Sequence, residues 1–287
     1  IKDFISSHFG EPRWHVVLQF IAGLLGKKMT TFDCKYGDCV MVYAEGFKQI
    51  RQTIHLEYDQ VFAMKCLKEL DNEKIAKDIC RRTPLKDVEC LNGKFFGLSP
   101  RDWAAVNFVS KHINNLSRFV MEAKSSDSLR GILKLLQNHC IAELILLMNC
   151  SESDEVEIEH VFNALKDTPC TQNHTHTNLL LLRLERFCIG DEFMTKIHQF
   201  FKKEHASHLQ ILRLISNKID PSGISKFCEV LDSEHFAKLR CLDFSRNPIC
   251  DEGAGVLFNT LMKMPCEFLQ LILCKCLLTS QCVPTLV

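Results

Sequence analysis

The sequence has no apolar run approaching the ~18 residues that a membrane span needs, and its opening residues carry no secretory signal pattern. It also lacks an excess of charge of either sign, with 35 basic residues against 35 acidic ones. That balance gives no support to a nucleic-acid-binding strip or a membrane-surface patch. Cysteine is abundant at sixteen residues, yet no two of them are spaced as CxxC, which removes the commonest zinc and dithiol signatures. Isolated thiols of this kind read as reduced and buried, and a reduced set predicts a cytoplasmic compartment rather than a disulfide framework. A complete phosphate loop is missing too. Gly26 and Lys27 invite one, but Ile21 stands where the first glycine belongs, Lys28 stands where Ser or Thr is required, and the setting is the end of a helix.

What the sequence does contain is a tandem repeat. The stretches LQILRLISNKIDPSG from Leu209, LRCLDFSRNPICDEG from Leu239 and FLQLILCKCLLTSQC from Phe268 are three versions of one pattern, and a fourth starts at Leu179. The starts at 179, 209, 239 and 268 are spaced by 30, 30 and 29 residues. Each unit reads apolar-x-x-apolar-x-apolar-x-x-Asn/Cys: Leu209, Leu212, Leu214 and Asn217; Leu239, Leu242, Phe244 and Asn247; Phe268, Leu271, Leu273 and Cys276. This is the leucine-rich repeat pattern. Alternate residues of a short parallel strand point inward, and the Asn or Cys closes the turn by satisfying backbone groups. Further on, Met194, Ile197 and Phe201, then Ile224, Phe227 and Leu231, then Ala254, Leu257 and Leu261 recur at gaps of three and four, which is one face of a helix. Asp220 before Pro221 predicts a capped helix start. The expected fold is therefore α/β, a solenoid of strand-turn-helix units with its strands on a concave side.

Upstream the period loosens. Ile141, Leu144, Leu146 and Asn149 predict another strand, with Ile158, Val161, Phe162 and Leu165 as its helix, while Leu116, Phe119 and Met121 predict a degenerate first unit. The polar insertion from Cys170 belongs on an outer loop, and Phe187 occupies a turn position where Asn or Cys is expected. Sequons at Asn115, Asn149 and Asn173 read as chance, since a glycan does not fit a turn position such as Asn149. Because the chain opens on Ile1 and stops at Val287 within a repeat, it is expected to be a piece of a longer protein.

Residues 1–97 are expected to form a small all-α domain. Trp14, Val17, Leu18, Ile21 and Leu25 predict one apolar helix face, begun at Pro12 and stopped by Gly26; Phe62, Cys66, Leu67 and Leu70 predict a second helix, and Ile75 with Ile79 a third. WHVVLQFIAGLLGKK from Trp14, FAMKCLKELDNEKIAKDI from Phe62 and LSPRDWAAVNFVSKH from Leu98 resemble the second helical domain of NOD-like receptors and its junction with a repeat tail. The repeats are similar to the ribonuclease-inhibitor subtype. The resemblance implies a helical domain over 1–97, a junction over 98–115 and repeats over 116–287. It also implies a cytoplasmic innate immune receptor whose ATP or ADP is held by an upstream NACHT module, so no cofactor is expected in these residues.

Other chemistry-bearing residues carry less. His174 and His176 lack a fixed third metal ligand. Cys274 and Cys276 alternate along one strand, so both sulfurs are expected to point the same way. The acidic run from Ser151 suits a helix N-terminus. The concave face remains, where Arg183, Glu185, Arg186, Arg213, Asp243, Arg246 and Lys275 are expected to line one continuous, solvent-facing surface. No acid, base and nucleophile set emerges, so an enzyme ranks last. The leading expectation is a ligand-sensing and autoinhibitory part of a NOD-like receptor, with a protein ligand or the receptor's own NACHT module as partner and any oligomer formed through other domains. The alternative is a stand-alone binding or inhibitor domain similar to ribonuclease inhibitor, which a strongly acidic concave surface would favour.

Overall fold

The computed structural model describes residues 1–29, 35–93, 97–148, 158–166, 179–187, 190–201, 208–231, 236, 238–264 and 270–280. The chain divides into two compact units, Ile1–Met121 with Asp127–His139, and Glu122–Ser126 with Cys140–Val287. Residues 98–121 and 127–139, read from the sequence as junction and first repeat, thus group with the N-terminal residues.

In the first unit, α1 (Lys2–His8), α2 (His15–Lys28) and α3 (Gly37–Met41) precede β1 (Thr53–His55), α4 (Tyr58–Glu69), α5 (Glu73–Arg82), β2 (Cys90–Gly93) and α6 (Pro100–Ser110). β3 (Arg118–Ala123) and α7 (Ser126–Leu136) follow, with residues 122–126 grouping with the second unit. The residues expected to be all-α are mainly helical, but they also contribute β1 and β2. These strands pair in parallel with each other and with β3, aligning Ile54, Leu91 and Phe119, each fully buried. Three- and four-residue strands are too short to show an alternation, which is why the pattern did not announce them.

The predicted face of α2 needs correction. Leu18 and Leu25 are buried, but Val17 is 39% exposed, and Ala22 and Gly26 complete the inner face while Val16, Phe20 and Leu24 stay exposed. α2 is apolar almost all round, so steric fit decides which side packs. Gly26 does not stop the helix; a Cβ there would lie 1.9 Å from the Leu70 carbonyl oxygen, so glycine is what lets α2 approach the end of α4. The LSPRD segment starts α6 with a reciprocal cap, in which the Asp102 amide donates to Ser99 Oγ at 3.3 Å and the Ser99 amide to Asp102 Oδ2 at 3.0 Å. Lys65 of α4 pairs with Asp102 at 3.0 Å. Burial alone raises the Asp102 pKa, but the bonds from Ser99 and Lys65 outweigh it and hold the carboxyl below its ordinary value.

The second unit is a strand-turn-helix solenoid: β4 (Glu143–Met148), α8 (Ile158–Lys166), β5 (Leu181–Glu185), α9 (Gly190–Phe201), β6 (Ile211–Ile215), α10 (Pro221–Leu231), β7 (Cys241–Asp243), α11 (Cys250–Leu261) and β8 (Gln270–Ile272). All neighbouring strands are parallel, and Leu144, Leu182, Leu212, Leu242 and Leu271 align in a single row. The first four are essentially inaccessible, while Leu271, on the last described strand, is half-buried. Against this row pack Val161, Phe162 and Leu165, then Met194, Ile197 and Phe201, then Ile224, Phe227 and Leu231, then Ala254 and Leu257, all buried. Leu261, expected on the same face, is half-buried. An aromatic chain runs through this layer, from Phe162 to Phe200 at 4.7 Å, Phe200 to Phe201 at 5.1 Å, Phe201 to Phe236 at 5.1 Å, Phe236 to Phe227 at 6.2 Å and Phe227 to Phe244 at 5.2 Å. Asp220 caps α10 by accepting from the Gly223 amide at 2.8 Å. Asn149, Asn173, His174, His176, Phe268, the insertion from Cys170 and the acidic run over 151–157 lie outside the described residues.

Candidate functional site

The turns that follow the strands of the second unit set its geometry. Asn217 and Asn247 are buried, and each side chain works backward into the preceding unit. Asn217 accepts from the Phe187 amide at 2.8 Å and donates to the Leu184 carbonyl at 3.0 Å. Asn247 accepts from the amides of Asn217 at 2.8 Å and Ile219 at 3.2 Å, and donates to the carbonyls of Leu214 at 2.7 Å and Phe244 at 2.6 Å. Cys276 continues the row, its thiol donating to the Phe244 carbonyl at 3.3 Å. Phe187 therefore does not break the ladder: the next unit's asparagine satisfies its amide, and its ring is buried.

One position before each ladder residue the backbone turns left-handed. Arg186, Ser216, Arg246 and Lys275 have φ of 63, 55, 60 and 58°. The Arg186, Ser216 and Arg246 amides donate to the carbonyls of Ile215, Ser245 and Cys274, so the next unit holds a conformation that L-residues rarely adopt. This places Arg186, Arg246 and Lys275 beyond the strands, as an exposed row at their C-terminal ends. The other four candidates lie on the strands themselves. Arg183, Arg213 and Asp243 are successive register partners on β5, β6 and β7, and Glu185 is the partner of Ile215.

The expectation that all seven are solvated is corrected for two of them: Glu185 and Asp243 are each only 6% exposed. Glu185 is enclosed because Arg183 Nη2 reaches its Oε2 at 2.6 Å and Arg186 Nε its Oε1 at 3.8 Å. Asp243 folds onto its own turn, accepting from the Ser245 amide at 2.9 Å. Arg183 and Arg213 are themselves half-buried, and their Nε atoms are buried without an acceptor.

Residues that the charge-based reading passed over surround them. Ile145, Leu147, Leu181, Ile211 and Ile272 on the same sheet face are half-buried, and Ile215 is 9% exposed. The signal was available in ELILLM, LLRLE and ILRLI, strands apolar at both parities and hence on both faces. This face is an aliphatic surface with a charged centre, the composition of a protein interface core with arginine in it.

Burial disfavours ionisation of four described thiols. Cys39, Cys66, Cys80, Cys228, Cys241, Cys250, Cys274 and Cys276 carry free thiols. Burial pushes Cys66, Cys228 and Cys276 up, and Cys80 up to about 12. Cys274 and Cys276 do not share a direction: Cys274 is exposed, and the turn at Lys275 carries Cys276 into the ladder, 1% exposed. Among the described residues no three His, Cys, Asp or Glu side chains gather as a metal site, and no helix is long and apolar enough to cross a membrane.

A family model of the leucine-rich repeat matches residues 205–228 and 237–258, the two units built around Asn217 and Asn247. No curated protein matches the chain. Repeats of this kind serve in general as non-enzymatic modules for protein–protein interaction, which is also what the exposed aliphatic face suits.

Proposed function

We propose that this chain is the ligand-sensing and autoinhibitory part of a cytoplasmic NOD-like receptor, acting through the sheet face that carries Arg183, Glu185, Arg213 and Asp243 and the adjoining row of Arg186, Arg246 and Lys275. The observation that carries the recognition role is the half-buried aliphatic surface around a charged centre on β4 to β8. The receptor reading draws on the order of segments, a helical region, the LSPRD helix start and then the repeats. In this mechanism the repeats hold an upstream nucleotide-binding module closed, and a protein ligand binds better to the open state. The open face carries more cationic than anionic side chains, which argues against an inhibitor of basic nucleases similar to ribonuclease inhibitor.

The coding sequence upstream of Ile1 supplies the first test. A G-x-x-x-x-G-K-[S/T] loop there supports the receptor reading, and an initiator Met shortly before Ile1 overturns it. With the loop in place, nucleotide turnover by the whole protein is measured with Arg213 and Arg246 both changed to Glu. Autoinhibitory docking predicts higher basal turnover at an unchanged melting temperature, because Arg246 is exposed and the Arg213 guanidinium pairs with no described group, so both charges act on association more than on stability. Unchanged turnover removes the autoinhibitory role.

A further inference from the structure

The recognition reading can be carried to the chemistry of the ligand. Arg183 and Arg213 are register partners on β5 and β6, so two like-charged side chains leave one sheet face from backbones at the strand spacing of about 4.8 Å. That arrangement is unfavourable unless an anion compensates it. Glu185 is already committed to Arg183 and Arg186. Asp243 flanks Arg213 on the other side, but it accepts from the Ser245 amide and forms no ion pair with Arg213. Among the described residues the Arg213 guanidinium has no partner at all, and the Nε atoms of both arginines are buried without an acceptor. Two half-buried forks facing one sheet surface, one paired only through its Nη2 and the other unpaired, lack what a carboxylate supplies, namely charge and paired acceptor oxygens in one plane.

We infer that Arg183 and Arg213 form a clamp for an Asp or Glu side chain presented by a partner protein. The inference rests on the recognition role proposed above and specifies its ligand. Leu181 and Ile211 lie two residues before the arginines, and Ile215, beside Glu185, lies two residues after Arg213, so an aliphatic row flanks the charge on one side and Ile215 on the other, each at about 7 Å. An extended segment of the pattern aliphatic-x-acidic-x-aliphatic, laid along the strands, matches that spacing. A nucleic-acid strand does not, since it requires a run of uncompensated cations, and here Glu185, Asp243 and the aliphatic residues border the pair.

Random peptides displayed on phage are panned on the full chain, and the recovered sequences are resynthesised with Glu, Gln or phosphoserine at the acidic position. Recovered peptides carry the aliphatic-x-acidic-x-aliphatic pattern, and both the Glu-to-Gln peptide change and Arg213→Gln weaken binding by about tenfold or more. Arg213→Lys restores part of the loss, since the charge returns without the fork. Arg213→Gln melts like the parent, because the guanidinium holds nothing in the free chain. Binding abolished by Leu181→Asp with Ile211→Asp, yet indifferent to Arg213→Gln and to the Gln peptide, overturns the clamp and leaves recognition on this face standing. Recovery of no peptide, or equal binding to every variant, overturns both. Tighter binding of the phosphoserine peptide overturns the carboxylate assignment in favour of a phosphorylated partner.

Discussion

Asn217 and Asn247 occupy equivalent turn positions but do unequal work. Asn217 satisfies one amide and one carbonyl of the preceding unit, whereas Asn247 satisfies two amides and reaches three carbonyls, the one at Ser245 more weakly at 3.3 Å. Each buried backbone group left without a partner costs roughly 1–3 kcal/mol. Asn247→Ala is therefore expected to destabilise by about 4 kcal/mol and Asn217→Ala by about 2 kcal/mol. Urea denaturation of the two variants checks this, and equal midpoints would mean that the extra bonds of Asn247 carry no net weight. The need for a polar or thiol side chain at these turns was legible in the sequence. The backward direction of the bonds, by which Asn217 rescues Phe187, was not, because it depends on how one unit stacks on the next.

At the scale of an element, α2 shows where periodicity stops being informative. Val16, Val17, Leu18, Phe20, Ile21, Leu24 and Leu25 put apolar side chains on every side, so no single face stands out. Small residues decide instead. Ala22 and Gly26 form the strip that α4 can approach, and a methyl group at Gly26 would collide with the Leu70 backbone. At Gly23 an added Cβ would sit 3.4 Å from the Glu69 carbonyl oxygen, an ordinary contact. Gly23→Ala is accordingly expected to stabilise by up to about 1 kcal/mol through helix propensity, and Gly26→Ala to destabilise by about 2 kcal/mol or more through overpacking. Thermal melts should move in opposite directions, and a shift of the same sign in both would contradict the close approach.

For the molecule as a whole, acid should act on one unit before the other. His15, His112 and His139, all in the first unit, have pKa values lowered chiefly by burial, and that of His139 falls from 6.5 to about 4. His139 lies against Phe119, and its Nε2 is buried without a partner. Below pH 6.5 the unfolded chain takes up a proton there while the folded chain does not until about pH 4, so stability falls as pH drops through that window. The loss from His139 alone is of the order of 3 kcal/mol. Both tryptophans, Trp14 and Trp103, belong to the first unit, so their fluorescence reports on it selectively. Between pH 7 and 5 the fluorescence-detected melting temperature should fall further than the part of the circular-dichroism melt that tryptophan does not follow, and His139→Leu should flatten the difference. A fluorescence melt insensitive to pH would place His139 in a solvated site.

What the sequence determined by itself is the solenoid of the second unit, because a unit repeated every 30 residues must meet its neighbour through the same contacts each time. Strand register, the leucine row, the asparagine turns and the pairing of Arg183 with Arg213 follow from that spacing. Only the tertiary structure decided which charges find partners, since Glu185 closes onto two arginines and Asp243 onto its own turn, leaving Arg213 uncompensated. It also decided the first unit, where β1, β2 and the buried side of α2 depend on residues distant in the chain. The physical reason is the range of the contacts: a repeat turns long-range packing into a local rule that one unit can display, whereas unrepeated packing leaves no such trace in the order of its residues.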